Sequence, residues 1–219
     1  MVTPSPADMP SLGERIRAER VRQGVSLRAL ARAVGVSASM ISQIETGKSR
    51  PSVSTLYAIT SSLNLSLLEI FESGERYAED AAANASSANG LTPTTVLEAI
   101  SARGPRLGPV VRPPERRVLK LDSGVTWERL GEIPPLHVDF LLITYAPGGT
   151  SSSTGDLMRH PGWEYGYLLR GELVLTLAFE EHRLRPGDAV SFDSTTPHRY
   201  RNDGKDPAVG VWFVLEDKT

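Results

Sequence analysis

The chain has 219 residues, 40% of them hydrophobic and 23% charged, with no cysteine and a formal net charge of −2. These proportions fit a folded, water-soluble protein of one or two domains, and the missing cysteine excludes disulfides, thiolate zinc sites and cysteine nucleophiles. The first ten residues hold neither a basic nor an apolar leader, and apolar runs such as residues 140–143 are far too short to span a bilayer. A cytoplasmic protein with no membrane partner is expected. The charge is unevenly spread. Residues 11–51 carry eight Lys/Arg against three Asp/Glu, a local +5 that leaves −7 for the rest. A basic patch on an acidic chain is the electrostatic footprint of nucleic-acid binding.

Residues 11–71 read as five short helices. Ser11 and Glu14 have capping-box spacing, and Leu12, Ile16 and Arg20 follow at every fourth residue. Gly24 ends this helix. Ser26 opens a second, striped by Leu27, Leu30, Ala31 and Val34, and Gly35 ends it. Ser37 opens a third, with Met40, Ile41 and Ile44 expected to face inward, and Gly47 ends it. A fourth follows Pro51 and carries Val53, Leu56, Ile59 and Leu63. Ser66 and Glu69 form another capping-box spacing before Ile70 and Phe71, the expected fifth helix. Residues 72–109, rich in Ala, Ser, Asn, Gly and Pro, read as a linker. From residue 110 to 219 the texture changes to short apolar or alternating runs at 117–121, 125–130, 137–145, 165–169, 173–179, 189–192 and 209–215, punctuated by turn residues. Regularly spaced short strands imply an all-β sandwich or barrel.

The helices at 26–34 and 37–46, separated by Gly35 and Val36, have helix-turn-helix spacing. With Leu30-Ala31, Ile41-Ser42, Ile44-Glu45, Gly47-Lys48 and Pro51, residues 11–71 resemble the DNA-binding domain of the Xre/Cro repressors. The resemblance implies that the third helix enters the major groove of an operator. Ser26, Arg28, Ser37, Ala38, Ser39, Ser42, Gln43, Lys48 and Arg50 are then the expected DNA-contacting set. Gln43 can pair bidentately with adenine, Ser39 and Ser42 can approach several base edges, and Thr46 shares their face. Arg28, Lys48 and Arg50 suit phosphate contacts, which position without specifying. Arg20 sits in line with apolar residues, and the resemblance implies that it pairs with Glu45 inside the domain.

Two motifs in the β region resemble the cupin superfamily. His160, Glu164 and Gly171 keep the spacing of the first motif, with Met158 where its first His would stand. Gly187, His198 and Asn202 keep the spacing of the second, with Asp193 and Thr195 replacing its Pro and Gly. The resemblance implies a double-stranded β-helix barrel whose interior is lined by His160, Glu164, Phe192, His198, Tyr200 and Trp212. His160, Glu164 and His198 would supply two imidazoles and a carboxylate to a divalent Zn, Fe, Mn or Ni ion. The alternative is a metal-free pocket in which these groups bind an effector or one another. Arg159 and Arg199 flank the two histidines and could hold a carboxylate, whereas His137 and His182 read as ordinary histidines. If Glu164 points inward, alternation turns Tyr165, Tyr167 and Leu169 outward. That apolar face needs a cover, either a second subunit or the segment 110–130 with Val118, Leu119 and Trp127.

The expected architecture is therefore multidomain α + β: a five-helix Xre/Cro-type helix-turn-helix bundle (11–71), a linker (72–109) and a C-terminal cupin barrel (110–219). The expected function is a homodimeric transcriptional regulator, a repressor and not an enzyme, that binds double-stranded operator DNA and senses a small-molecule effector. Two alternatives stand beside it: a metal-dependent cupin enzyme fused to a DNA-binding domain, and an antitoxin-like repressor with a protein partner.

Overall fold

The computed structural model describes residues 11–65, 70–71, 75–76, 110–131 and 138–215. Four helices are defined among them: α1 (Leu12–Arg22), α2 (Leu27–Val34), α3 (Ala38–Glu45) and α4 (Val53–Leu63). The expected fifth helix reduces to helical Ile70 and Phe71, because residues 66–69 lie outside the described residues. Side-chain caps set the starts. Ser11 and Glu14 form the reciprocal capping box, and Ser26, Ser37 and Ser52 each accept a hydrogen bond from the backbone three residues on. Gly35 closes α2 in the left-handed region at φ 78°, where its missing Cβ removes the steric penalty. None of these helices is long and apolar enough to cross a membrane.

Ile16, Leu30, Ala31, Ile41, Ile44, Ile59 and Leu63 form the core of the helical bundle. Met40 departs from expectation. It is exposed, because the buried stripe of α3 runs through Ile41, Ile44 and Glu45 and turns its neighbour outward. Gly13 lets α1 pass directly over α3: a Cβ there would lie 2.2 Å from the Ile44 carbonyl oxygen.

The β region holds two antiparallel sheets. The larger runs β1 (Glu75–Arg76), β2 (Arg117–Lys120), β3 (Val125–Gly131), β4 (Val138–Tyr145), β10 (Ala208–Leu215), β5 (Trp163–Arg170) and β8 (Ala189–Asp193). The smaller runs β7 (Glu180–Leu184), β6 (Leu173–Leu177) and β9 (His198–Arg201). Leu141, Leu168 and Trp212 of the first sheet share one core with Leu173, Leu175 and Tyr200 of the second. The strand expected over 173–179 stops at Leu177, where Ala178 turns into the left-handed region at φ 52°. Glu75–Arg76, within the stretch read as linker, pairs with β2 as an edge strand.

The same core extends into the helical bundle. Val53, Leu56 and Tyr57 of α4, with Ile70 and Phe71, pack among Leu119, Trp127 and the other buried cupin residues. Leu119 and Trp127 are therefore buried against the helices, Val118 is buried as well, and Tyr165, Tyr167 and Leu169 on the outer face of β5 stay exposed. Three hydrogen bonds add to it: Ser54 N–H to the Ser151 carbonyl at 3.0 Å, Asp122 N–H to the Pro51 carbonyl at 2.9 Å, and the Arg117 guanidinium to the Phe71 carbonyl at 3.2 Å.

Candidate functional site

Two regions carry chemistry. The first is the surface around α3. Ser39, Gln43, Lys48 and Arg50 are exposed, as are Ser26, Arg28 and Ser37; Ala38 and Ser42 are half-buried. Ile41 and Ile44 hold the helix from beneath, so its polar face is presented by a fixed scaffold. Thr46 on the same face is exposed, and its hydroxyl donates to the Ser42 carbonyl at 2.8 Å, which leaves its oxygen able to accept. Below this face lies a bidentate pair. The Arg20 Nε and Nη2 donate to the two Glu45 carboxylate oxygens at 2.6 and 2.9 Å, and Nη1 donates to the Val25 carbonyl at 2.8 Å. The Glu45 hydrogen bond raises the Arg20 pKa, so the charge persists despite burial. This pair ties α1 to α3 and is structural.

The second region is the cupin interior. Glu164 on β5 faces inward, and His198 enters from β9 in the other sheet. His160 precedes β5, and its Nε2 lies 2.9 Å from Glu164 Oε1, which as a carboxylate oxygen accepts. Tyr200 Oη donates to Glu164 Oε2 at 3.1 Å, and Trp212 Nε1 donates to Tyr200 Oη at 3.3 Å. The Phe192 ring lies 5.0 Å from that of His198. All six residues assigned to the interior from the sequence are thus brought together. The motif arginines are not: Arg159 is exposed, and Arg199 donates to the Gly155 carbonyl. His182 is exposed beside Glu180, and His137 lies outside the described residues.

The donor set fits a divalent ion. His198 Nδ1 is 2.8 Å from the Thr196 carbonyl, which can only accept, so Nδ1 carries the hydrogen. In its neutral form the ring presents a lone pair at Nε2, the atom that would ligate an ion. That nitrogen lies 3.0 Å from Glu164 Oε1, an ion-pair contact if the ring is protonated, and it has no well-angled hydrogen-bond partner among the described residues. A buried imidazole nitrogen held in this tautomer beside a carboxylate is the arrangement of a metal-ligating histidine. Ligand atoms of His160, Glu164 and His198 all lie within 4.8 Å of one another. Burial alone pushes the Glu164 carboxyl up, but the two imidazoles outweigh it and hold it down at about 2. Burial likewise works against charge on His198, and Glu164 overcomes it and raises the pKa. Burial and the Glu164 charge push the Tyr200 phenol well above its ordinary value, which keeps it a hydrogen-bond donor. A bound divalent ion would supply a positive charge on which an anionic or hydroxyl-bearing ligand can seat. Met158, buried and bridged to His198 through the backbone, offers a thioether, a soft donor ill-suited to a hard ion.

One participant was missed by sequence reasoning. Tyr57 of α4 stacks on His160, with ring centroids 4.0 Å apart and planes within 2°. The apolar stripe read from the sequence for this helix, Val53, Leu56, Ile59 and Leu63, does not include it.

Comparison with known proteins agrees with both regions. Residues 16–70 match the helix-turn-helix family and residues 141–214 the cupin domain family. The chain thus combines a helix-turn-helix domain with a cupin domain, and the curated relatives it matches are HTH-type transcriptional regulators. It is 28% identical over 192 residues to the HTH-type transcriptional regulator PuuR of Escherichia coli, covering 87% of this chain and 86% of that one. It is 26% identical over 194 residues to the regulator SutR of the same organism, covering 89% and 88%. A crystal structure of an HTH_3 family transcriptional regulator from Vibrio cholerae covers 98% of this chain and is itself covered in full, with a TM-score of 0.61 and 21% identity. That likeness extends the two-domain fold of this regulator to a second protein.

Proposed function

We propose that the regulator binds operator DNA through α3 as a homodimer in the cytoplasm, and that its cupin interior senses a small-molecule effector without catalysing a reaction. The observation that carries the DNA reading is the exposed Ser39 and Gln43 face above the buried Ile41 and Ile44. Gln43 supplies bidentate adenine readout, Ser39 and Ser42 read base edges, and Ser37 with Ser26 and Ala38 lies against the backbone. Arg28, Lys48 and Arg50 contact phosphates. His160, Glu164 and His198, with Phe192, Tyr200 and Trp212, form the effector site, and a divalent ion is its first occupant. Repression follows if the apo dimer fits the operator and the filled one does not. Residues 11–71 act as the DNA-binding unit, 110–219 as the sensing unit, and 72–109 join them.

The dimer contact is the outer face of β5 and β10. Trp163, Tyr165, Tyr167, Leu169, Phe213 and Leu215 are each between 39 and 49% exposed there, and Phe140 stacks on Phe213 at 4.4 Å. A contiguous apolar face of this kind marks an interaction surface.

The test is selection of a binding site from random-sequence DNA, followed by affinity measurement on the selected and a scrambled duplex. Gln43→Ala weakens the selected site by about 1–3 kcal/mol and leaves the scrambled one unchanged. An equal loss on both removes Gln43 from base readout. Elemental analysis of untagged, chelator-free protein gives one metal per chain, lost in His160→Ala/His198→Ala. No metal in the native chain leaves an organic effector pocket.

A further inference from the structure

We propose that Tyr57, a residue of the DNA-binding domain, forms a wall of the cupin site and is the contact through which the occupant of that site is read. The proposal rests on the reading of the cupin interior as an effector site, and adds to it the element that hears the effector.

Three observations carry it. Tyr57 is 5% exposed and lies face to face with His160, one of the three groups that could hold an ion. The ring also meets Trp127 edge-on at 5.9 Å, so it is pinned from a second side. Any rotation of the His160 ring therefore moves Tyr57 or breaks the stack, because close-packed interiors pass a displacement on. A second route runs beside the first. Glu164 accepts from the Tyr200 hydroxyl, and Tyr200 N–H donates to Ser151 Oγ at 3.0 Å. The Ser151 carbonyl accepts the Ser54 N–H of α4 at 3.0 Å. Both routes end on one turn of one helix, three residues apart. Finally, α4 belongs to both cores: Val53, Leu56 and Tyr57 enter the cupin core, while Ile59 and Leu63 enter the helical core under α2 and α3. A push on Tyr57 is thus delivered to the scaffold that carries Gln43, with no intervening linker.

The test uses the full chain. Native protein, Tyr57→Phe and Tyr57→Ala are treated with diethyl pyrocarbonate, and modification of each histidine is followed by peptide mass spectrometry. Exposed His182 serves as the internal control. Tyr57→Ala speeds modification of His160 by about tenfold with His182 unchanged, and Tyr57→Phe keeps the slow native rate. A native rate at His160 in Tyr57→Ala overturns the wall. Should Tyr57→Ala fold poorly, Tyr57→Leu keeps the core filled, and imidazole proton shifts replace the reaction. In the native chain the stacked ring shifts the His160 ring protons upfield, and Tyr57→Leu abolishes that shift. Unshifted His160 protons in the native chain overturn the proposal outright.

The reading role is tested with Co²⁺ as the probe and the DNA selected by the native chain. Co²⁺ changes DNA affinity by about fivefold or more in the native and Tyr57→Phe chains, and by less than about twofold in Tyr57→Leu. An equal response in all three overturns the reading role. A native chain that takes up no Co²⁺ overturns the metal reading alone, and the accessibility and shift data still decide the wall.

Discussion

Trp212 fills the centre of the cupin core because two glycines make room for it. A Cβ on Gly166 would lie 2.6 Å from its indole, and one on Gly210 would lie 2.3 Å from it. Gly166 is also the cross-strand partner of Trp212, so the indole lies along β5. Gly166→Ala drives the ring off Tyr200 and lowers stability by about 1–3 kcal/mol, measured by urea unfolding. An unchanged midpoint means the ring had slack. Arg20 presents the opposite case, a polar residue whose removal leaves a buried charge. Arg20→Ala strands Glu45 and costs about 3–5 kcal/mol in the same assay. A loss below about 1 kcal/mol shows that water reaches Glu45 and that the pair is a surface one.

At the scale of elements, the helices were legible because their punctuation is local. A serine cap followed by a short apolar stripe and a glycine leaves little choice of boundary, and α2 and α3 begin and end within a residue of that pattern. Ser37→Ala removes the Met40 N–H acceptor and costs about 1 kcal/mol in stability. Circular dichroism melts read this loss, and a variant as stable as the native chain would mean that solvent caps α3 equally well. The strands were legible where one face is buried. β5 alternates along almost its whole length, and Tyr165, Tyr167 and Leu169 fall outside as alternation demands. β7 was not, because EEHRL is exposed over its first four residues and is held by backbone pairing with β6, and β9 was not, because the residues on its buried face, His198 and Tyr200, are polar and its open face is charged. Met40 misled for a related reason: an apolar residue on a short helix need not belong to its buried stripe. His160, Glu164 and His198 could be named because motif spacing fixes them within one domain, and Phe192, Tyr200 and Trp212 followed as aromatic residues of the strands around them. Tyr57 could not, since the sequence separates it from His160 by 103 positions and only the docking of α4 brings them together.

At the scale of the whole molecule, the exposed face of β5 and β10 is the contact proposed for the dimer. Tyr167→Glu with Phe213→Glu places charge in its middle, and sedimentation then gives a monomer that has lost operator affinity while the fold is kept. A dimer that survives both changes moves the contact elsewhere. The other global feature is the sharing of α4. Since Val53, Leu56 and Tyr57 complete one core and Ile59 and Leu63 the other, neither half owns all of its interior. Calorimetry of the intact chain therefore gives one heat-absorption peak instead of two. The same sharing limits how such a protein can be rebuilt by exchange of parts. A different sensor grafted behind this reader inherits a helix face shaped for the old one, and the seam works only where the new partner offers a matching hollow for Tyr57.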